Sequence, residues 1–191
     1  MILEGIVTTT NENGEPNIAP MGPLVDDQMA HLILRPFHTS RTYANLKRTG
    51  QGVFHVVDDV ELLAQAAIDQ IDPTPQLTPC AAVEGWVLAD ACRWYAFRVQ
   101  SIEDAEDRTK IAARVVDHGR IRDFFGLNRA KHAVVEAAIL ASRTAFLPAD
   151  EILGDFGRLK ILVQKTGGPQ EERAFALLEN FVSLRLRSDA E

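Results

Sequence analysis

The 191-residue sequence holds two cysteines, Cys80 and Cys92, and neither stands in a CxxC pair or beside a cluster of histidines. That spacing gives no basis for a disulfide framework or a zinc site, and two free thiols is the default reading. The histidines (His31, His38, His55, His118 and His132) are scattered without HxH or HExxH spacing, so no metal site is expected. No apolar run approaches the roughly 20 residues of a membrane span. The opening MILEGIVTTT lacks the basic leader and apolar centre of a signal peptide. A cytoplasmic chain without a membrane partner is the expectation. GxGxxG and P-loop signatures are missing, which argues against a Rossmann dinucleotide site. No nucleophile elbow and no paired carboxylates point to hydrolysis. Basic residues are in deficit, 20 against 27 acidic ones for a net charge of -7. A general nucleic-acid binder is therefore disfavoured, although a local basic pocket is compatible with that balance.

What is present is ordinary for a globular protein: 46% apolar and 25% charged residues, on a chain long enough to bury a real core. Ile2 to Thr10 is rich in β-branched residues and runs into Asn11-Glu12-Asn13-Gly14-Glu15-Pro16, whose Asn-Gly pair suits the positive φ angles of a tight hairpin. A second extended run, Asn17 to Val25, carries Pro20, Gly22 and Pro23. Proline cannot donate to a central ladder, so this run reads as an edge strand or a strand broken by a bulge, with backbone groups left to face a ligand or simply to bend the sheet. Asp26-Asp27 turns the chain into a third strand, Gln28 to Leu34, completing an antiparallel meander.

The stretch Leu32 to Gly50, LILRPFHTSRTYANLKRTG, then passes from strand to helix at Thr39-Ser40-Arg41-Thr42. Hydroxyls and two guanidiniums, Arg35 and Arg41, crowd a junction where backbone N–H groups and the positive helix pole favour an anion. The same residues also fit a plain capped surface helix with solvated arginines. Lys47 and Arg48 suit the negative pole, and Gly50 the left-handed position after the helix. Gln51 to Val57 is a further strand, Asp58-Asp59 caps a short helix through Ile68, and the proline-rich Gln70 to Pro79 reads as a loop without a packed element. Ala81 to Gln100 gives two extended runs around Ala89-Asp90. Thr109 to Asp117 gives another after the acidic turn Glu103, Asp104, Glu106 and Asp107. Strands without a βαβ rhythm indicate a small antiparallel barrel.

The pattern changes after Gly126. Asn128 to Phe146, Ala149 to Lys165 and Pro169 to Leu186 carry apolar residues three and four apart. These residues read as a helical hairpin or three-helix appendage, which divides the chain into 1–126 and 127–191. Gly154 and Gly157 inside the middle helix each cost about 1 kcal/mol against alanine, so a second backbone packed closely there is expected. Asn128, Arg129, Lys131 and His132 open the first tail helix, either as a solvated start or as groups reaching a ligand.

TTTNENGEPNIAPMGP, SRTYANLKRTG and GVFHVV together resemble the N-terminal part of the FMN-binding split-barrel proteins, the fold of flavin reductases and pyridoxamine-phosphate-oxidase-like proteins. With NRAKHAVVEAAILASR and LGDFGRLK, the whole chain resembles the DUF447 family. The resemblance implies an α+β, mainly antiparallel β fold: a split β-barrel with a C-terminal α-helical appendage. It also implies a homodimer with FMN at or near the subunit interface, the flavin ring along Asn17, Ala19, Pro20, Met21 and Gly22, and the phosphate on Ser40, Thr42 and Asn45. Thr39, Arg35 and Arg41 belong to the same phosphate site. The implied activity is that of a flavin-dependent reductase or oxidoreductase, with NAD(P)H or another small molecule as electron donor. The competing reading is an FMN-binding carrier or sensor without turnover, with Met21 either covering the ring or packed in the core.

Overall fold

A computed structural model describes residues 1–105 and 109–188; Glu106 and Asp107 of the expected acidic turn lie outside the described residues. The chain forms two compact units, Met1–Val57 with Thr74–Phe124, and Asp58–Pro73 with Phe125–Glu191. The first unit contains β1 (Gly5–Thr10), β2 (Pro16–Met21), β3 (Leu24–Val25), β4 (His31–Leu34), α1 (Arg41–Thr49), β5 (Gln51–Val56), β6 (Leu77–Pro79), β7 (Trp86–Leu88), β8 (Arg93–Glu103) and β9 (Lys110–Arg120). The second contains α2 (Val60–Ala67), α3 (Arg129–Ala141), α4 (Ala149–Thr166) and α5 (Pro169–Ser188).

Seven strands form one antiparallel sheet in the order β2-β1-β5-β8-β9-β4-β3. The run Asn17 to Val25 is thus cut at Gly22-Pro23 into two edge strands that lie at opposite ends of the sheet. The far edge returns to the chain's beginning: the Leu3 N–H donates to Pro23 O at 3.1 Å, the Val25 N–H donates to Met1 O at 2.8 Å, and Ile2 bridges Leu24. Because residues 1–3 lead into β1, these bonds curl the sheet into a half-barrel. The β1–β2 hairpin differs from the expected Asn-Gly turn. Gly14 alone has positive φ, +82°, after a turn closed by the Gly14 N–H on Asn11 O at 3.0 Å. That is a three-residue loop in which only the last position needs glycine.

Strand alternation sends Val7, Leu32, Leu34, Phe54, Phe97 and Ile111 to one face, where Tyr43 and Leu46 of α1 join them in the barrel core. On the other face, β6 and β7 lie over β1 and β5. There the Thr8 hydroxyl donates to Trp86 O at 2.5 Å, and Val53, Val83, Val87 and Ala96 cluster. Residues 77–79 therefore form a short strand where a loop was expected; Pro79 is tolerated because it lies at the end of a two-stranded pair. Beneath this layer His55 is fully buried. Its Nδ1 lies 3.2 Å from Ile6 O and its Nε2 accepts the Leu88 N–H at 3.2 Å, so a neutral ring satisfies both contacts by donating from Nδ1. Burial pushes its pKa down to about 4.

In the helical unit, alanines at 130, 133, 137, 138 and 141 of α3 let neighbouring helices approach, and Ile152, Phe156, Phe175, Leu178 and Val182 fill the space between them. α2, which lies within 1–126, packs here through Val60, Leu63 and Ala64. α3 ends at Ala141, short of the expected Phe146, where the Ser142 hydroxyl turns back to Ile139 O at 2.8 Å; Phe146 is 75% exposed. Gly154 and Gly157 do not serve a close internal contact: a Cβ on either would meet nothing within 4 Å.

Candidate functional site

The junction from β4 to α1 is built by local chemistry. Ser40 is extended (φ -80°, ψ 146°) and its hydroxyl accepts the Tyr43 N–H at 3.1 Å while donating to Phe37 O at 2.7 Å. Gly50, with φ +68°, ends the helix by donating to Leu46 O. The first-turn amides ahead of Tyr43 have no intrahelical acceptor, and no acidic residue occupies that turn. α2, α4 and α5 carry Glu61, Asp150 with Glu151, and Glu171 with Glu172 in their first turns, whereas α3, like α1, carries no acid there. Thr39 and Arg41 are exposed at the α1 start, Ser40 is half-buried, and Arg35 is exposed just after β4. This end of the helix presents donors and positive charge, the donor set that suits a phosphate.

Thr42 and Asn45 lie deeper, at 2% and 5% exposure. The Asn17 amide donates to Thr42 Oγ1 at 3.1 Å and to Thr9 Oγ1 at 3.2 Å. The Asn45 amide donates to Thr9 Oγ1 at 3.0 Å and to Asn11 Oδ1 at 2.9 Å. Arg48 donates to Thr10 O and, at 3.4 Å, to Asn45 Oδ1. Asn17, Thr42 and Asn45 are thus brought together as a buried lock holding α1 against β1 and β2, and the amide donors of Asn17 and Asn45 already have acceptors inside the protein. Thr9, Asn11 and Arg48 complete this lock, a role the sequence does not show for Asn11 in its turn or for Arg48 at the end of the helix. The only available sign was the position of Thr9 on the same strand face as Val7. Among the described residues, Thr10 Oγ1 is a buried side-chain oxygen without a hydrogen-bond partner.

Along β2, residues alternate. Asn17, Ala19 and Met21 pair with Thr9, Val7 and Gly5, on the face that turns inward, while Pro20 pairs with Ile6 on the opposite face. Met21 is half-buried and packs against the barrel core. A Cβ on Gly22 would lie 2.7 Å from a Glu4 carboxylate oxygen, which makes Glu4 the acid next to the strand break. Of the four residues opening the first tail helix, Asn128 caps it by accepting the Ala130 N–H at 2.7 Å and Lys131 pairs with Glu171 at 3.1 Å. Lys131 also donates to Asp58 O. Its ammonium is therefore committed within the helical unit, whereas Arg129 and His132 are exposed.

A curled antiparallel sheet plugged by one helix, with a strand-to-helix junction open at its rim, is the flavin-reductase-like split barrel. Over residues 3–122 the chain matches the family described as protein of unknown function (DUF447) N-terminal domain, and over 128–180 it matches protein of unknown function (DUF447). The chain belongs to the DUF447 family. Its backbone is similar to that of an FMN-bound DUF447 protein from Methanosarcina mazei, with a TM-score of 0.81, 23% identity and 94% of each chain covered. It is also similar to the styrene monooxygenase flavin reductase of Pseudomonas putida S12, with a TM-score of 0.55, 17% identity, and 64% of this chain and 82% of that one covered. A third likeness is to the 2-nitrobenzoate 2-nitroreductase of Pseudomonas fluorescens, with a TM-score of 0.51, 20% identity, and 61% and 64% covered. No curated protein matches the sequence. Among the described residues no helix is long and apolar enough to cross a membrane.

Proposed function

We propose that this protein binds FMN, with the flavin phosphate at the start of α1, and acts as a flavin-dependent reductase. The observation that carries the reading is the acid-free α1 start, where Thr39 and Arg41 bring exposed donors to the first-turn amides and Ser40 caps the turn. The FMN-bound family member, similar over 94% of the chain, supports it. Within this reading the exposed residues Arg35, Thr39 and Arg41, with Ser40, hold the phosphate. The buried Asn17, Thr42 and Asn45 set the angle at which α1 meets β2. Ala19, Pro20, Met21 and Gly22 define the strand beside which the ring lies, and their backbone groups orient it. FMN supplies the redox chemistry, taking electrons from NAD(P)H or another small-molecule donor. A homodimer in the cytoplasm completes the reading, with the second subunit covering the flavin. Met21, partly buried against the barrel core, supports a ring left accessible to a substrate rather than covered by that side chain.

The test is a visible spectrum of the purified protein with FMN, followed by anaerobic NADH or NADPH. Bound flavin that bleaches at catalytic rates is expected. Bound but inert flavin supports the carrier, and a protein that takes up no FMN refutes both. Arg41→Ala removes a charge-assisted contact and should weaken FMN binding by about tenfold or more, with Arg129→Ala unchanged. Equal affinities in an equilibrium titration of the two variants would overturn the phosphate assignment.

A further inference from the structure

α4 has a second apolar stripe opposite its packed face. Ile152, Phe156 and Val163 are buried inside the helical unit. On the other side Leu153 and Ile161 are 54% and 49% exposed, and Gly154 and Gly157 lie between them with open space where their Cβ atoms would be. Leu153, Gly154, Gly157 and Ile161 are spaced one, three and four residues apart, which puts them on one side of a 3.6-residue helix. Glycine is unfavourable inside a helix, and no close contact among the described residues accounts for either one.

The charges on the helix show what fits that face. Lys160 is engaged with Glu179 of α5 at 2.8 Å, and Arg158 pairs with Asp155. Asp150 and Glu151 in the first turn and Lys165 in the last have no ionic partner among the described residues. The helix is therefore acidic at one end, basic at the other and apolar between them, the pattern of a surface complementary to its own antiparallel copy. A two-fold axis at the midpoint of residues 154 and 161 seats each Ile161 over the Gly154 notch of the other helix. The same axis is the midpoint of residues 150 and 165, so it also sets each Asp150 opposite a Lys165. One symmetry operation satisfies both the packing and the charges.

We infer that the exposed face of α4 is a self-association surface whose partner is a second copy of this chain, joined as an antiparallel α4 pair. The inference does not rest on the flavin reading, since none of its residues belongs to the α1 start or to β2. A single helix pair is smaller than the about 1,200–2,000 Å² of a standard interface, so the contact forms reversibly with concentration.

Sedimentation velocity across a concentration series, on the full chain with and without FMN, tests it. Ile161→Glu puts a charge on an exposed position, should leave the thermal transition and FMN stoichiometry unchanged, and should halve the largest assembly seen for the wild type. That halving is from dimer to monomer, or from tetramer to dimer if the flavin-bearing unit pairs separately. Asp150→Lys should weaken the same step about tenfold, and Asp150→Lys with Lys165→Asp should restore it, because the reversed pair is again complementary. Identical mass distributions for wild type and Ile161→Glu at every concentration overturn the inference. So does a double reversal that behaves like the single change. Loss of FMN binding with the mass series intact would count against the flavin reading alone.

Discussion

Helix starts in the two units of this molecule use the same physics for opposite ends. At α1 the first turn carries no acidic residue, and Thr39, Ser40 and Arg41 stand at its start, with Arg35 exposed just ahead of them in the chain. In the helical unit three helix starts are capped from within, two of them by carboxylates. Asp59 accepts the Glu61 and Leu62 N–H groups at 3.0 Å, Asn128 caps α3, and Glu171 accepts the Gly168 N–H at 2.8 Å. Lys131 joins them by pairing with Glu171 and donating to Asp58 O, and Gln170 donates to Asp59 at 3.0 Å. Burial works against ionising Glu171, but the Gly168 N–H and Lys131 outweigh it and hold the carboxyl below its ordinary range. A closed set of caps fixes structure; an open one can take a ligand.

The sharpest way to break the contrast is to remove the cation from the closed side. The Lys131 and Glu171 side chains are 16% and 9% exposed. Lys131→Ala leaves the carboxylate buried with one partner fewer, at a cost of about 3 kcal/mol. Urea unfolding followed by far-UV circular dichroism should show the loss, with FMN affinity of the surviving folded protein unchanged. The Lys47–Asp104 pair of the barrel unit is 58% and 39% exposed, and Lys47→Ala should leave the urea midpoint where it was.

The barrel has its own buried polar group in His55, and acid is the probe for it. The unfolded imidazole titrates near 6.5 and the folded one near 4. The unfolded state therefore takes up the proton first. Stability is complete above pH 6.5, declines as the pH falls toward 4, and has lost about 3 kcal/mol there. Urea midpoints between pH 7 and pH 5 isolate this step from most carboxylate titration. His55→Gln should flatten the slope in that window, and an unchanged slope would remove His55 as its source.

Next in size is the lock behind the open start. Asn45→Ala removes the donor to Thr9 and Asn11, and the two buried oxygens lose a partner at about 2 kcal/mol. If Asn45 acts by holding α1, FMN affinity should fall together with stability, and Asn11→Ala should shift both in the same direction by less. An Asn45→Ala protein with native stability and no FMN binding would instead make Asn45 a direct phosphate contact.

How much of this could be read from the sequence follows from the range of each interaction. α1 was legible end to end because Ser40, Lys47, Arg48 and Gly50 act within a few residues of the helix they bound. The break at Gly22-Pro23 was legible too, since proline and glycine announce it locally. That its halves lie at opposite edges of the sheet was not, because β3 is held by β4 and by residues 1–3. The lock was also invisible: Thr9, Asn17, Thr42 and Asn45 meet across separations of 8, 25 and 36 residues. Thr42 and Asn45 were legible as residues of interest, but their burial was not, because helix periodicity does not say which strand a polar face will meet. The early end of α3 was missed for a related reason. Its apolar spacing continues to Phe146, but the backbone turns at Ser142 and leaves that ring in solvent.

The smallest stability change tests the comparison most directly. Ser40 and Asn128 are both N-caps, and Asp caps a helix about as well as either, so Ser40→Asp and Asn128→Asp should each move stability by well under about 1 kcal/mol. Their effects on the ligand should differ. A carboxylate at position 40 stands where the flavin phosphate is proposed to bind, so charge repulsion and the filled donor set should cut FMN affinity by at least about tenfold. At position 128 the same charge caps a helix start that the flavin reading does not use, and FMN affinity should not change. Ser40→Ala completes the series: it loses the cap at about 1 kcal/mol without adding charge, so its affinity should fall between wild type and Ser40→Asp. Equilibrium FMN titrations of the three variants give the order. If Ser40→Asp binds FMN as the wild type does, the α1 start is only a cap and the two helix starts differ in composition but not in function.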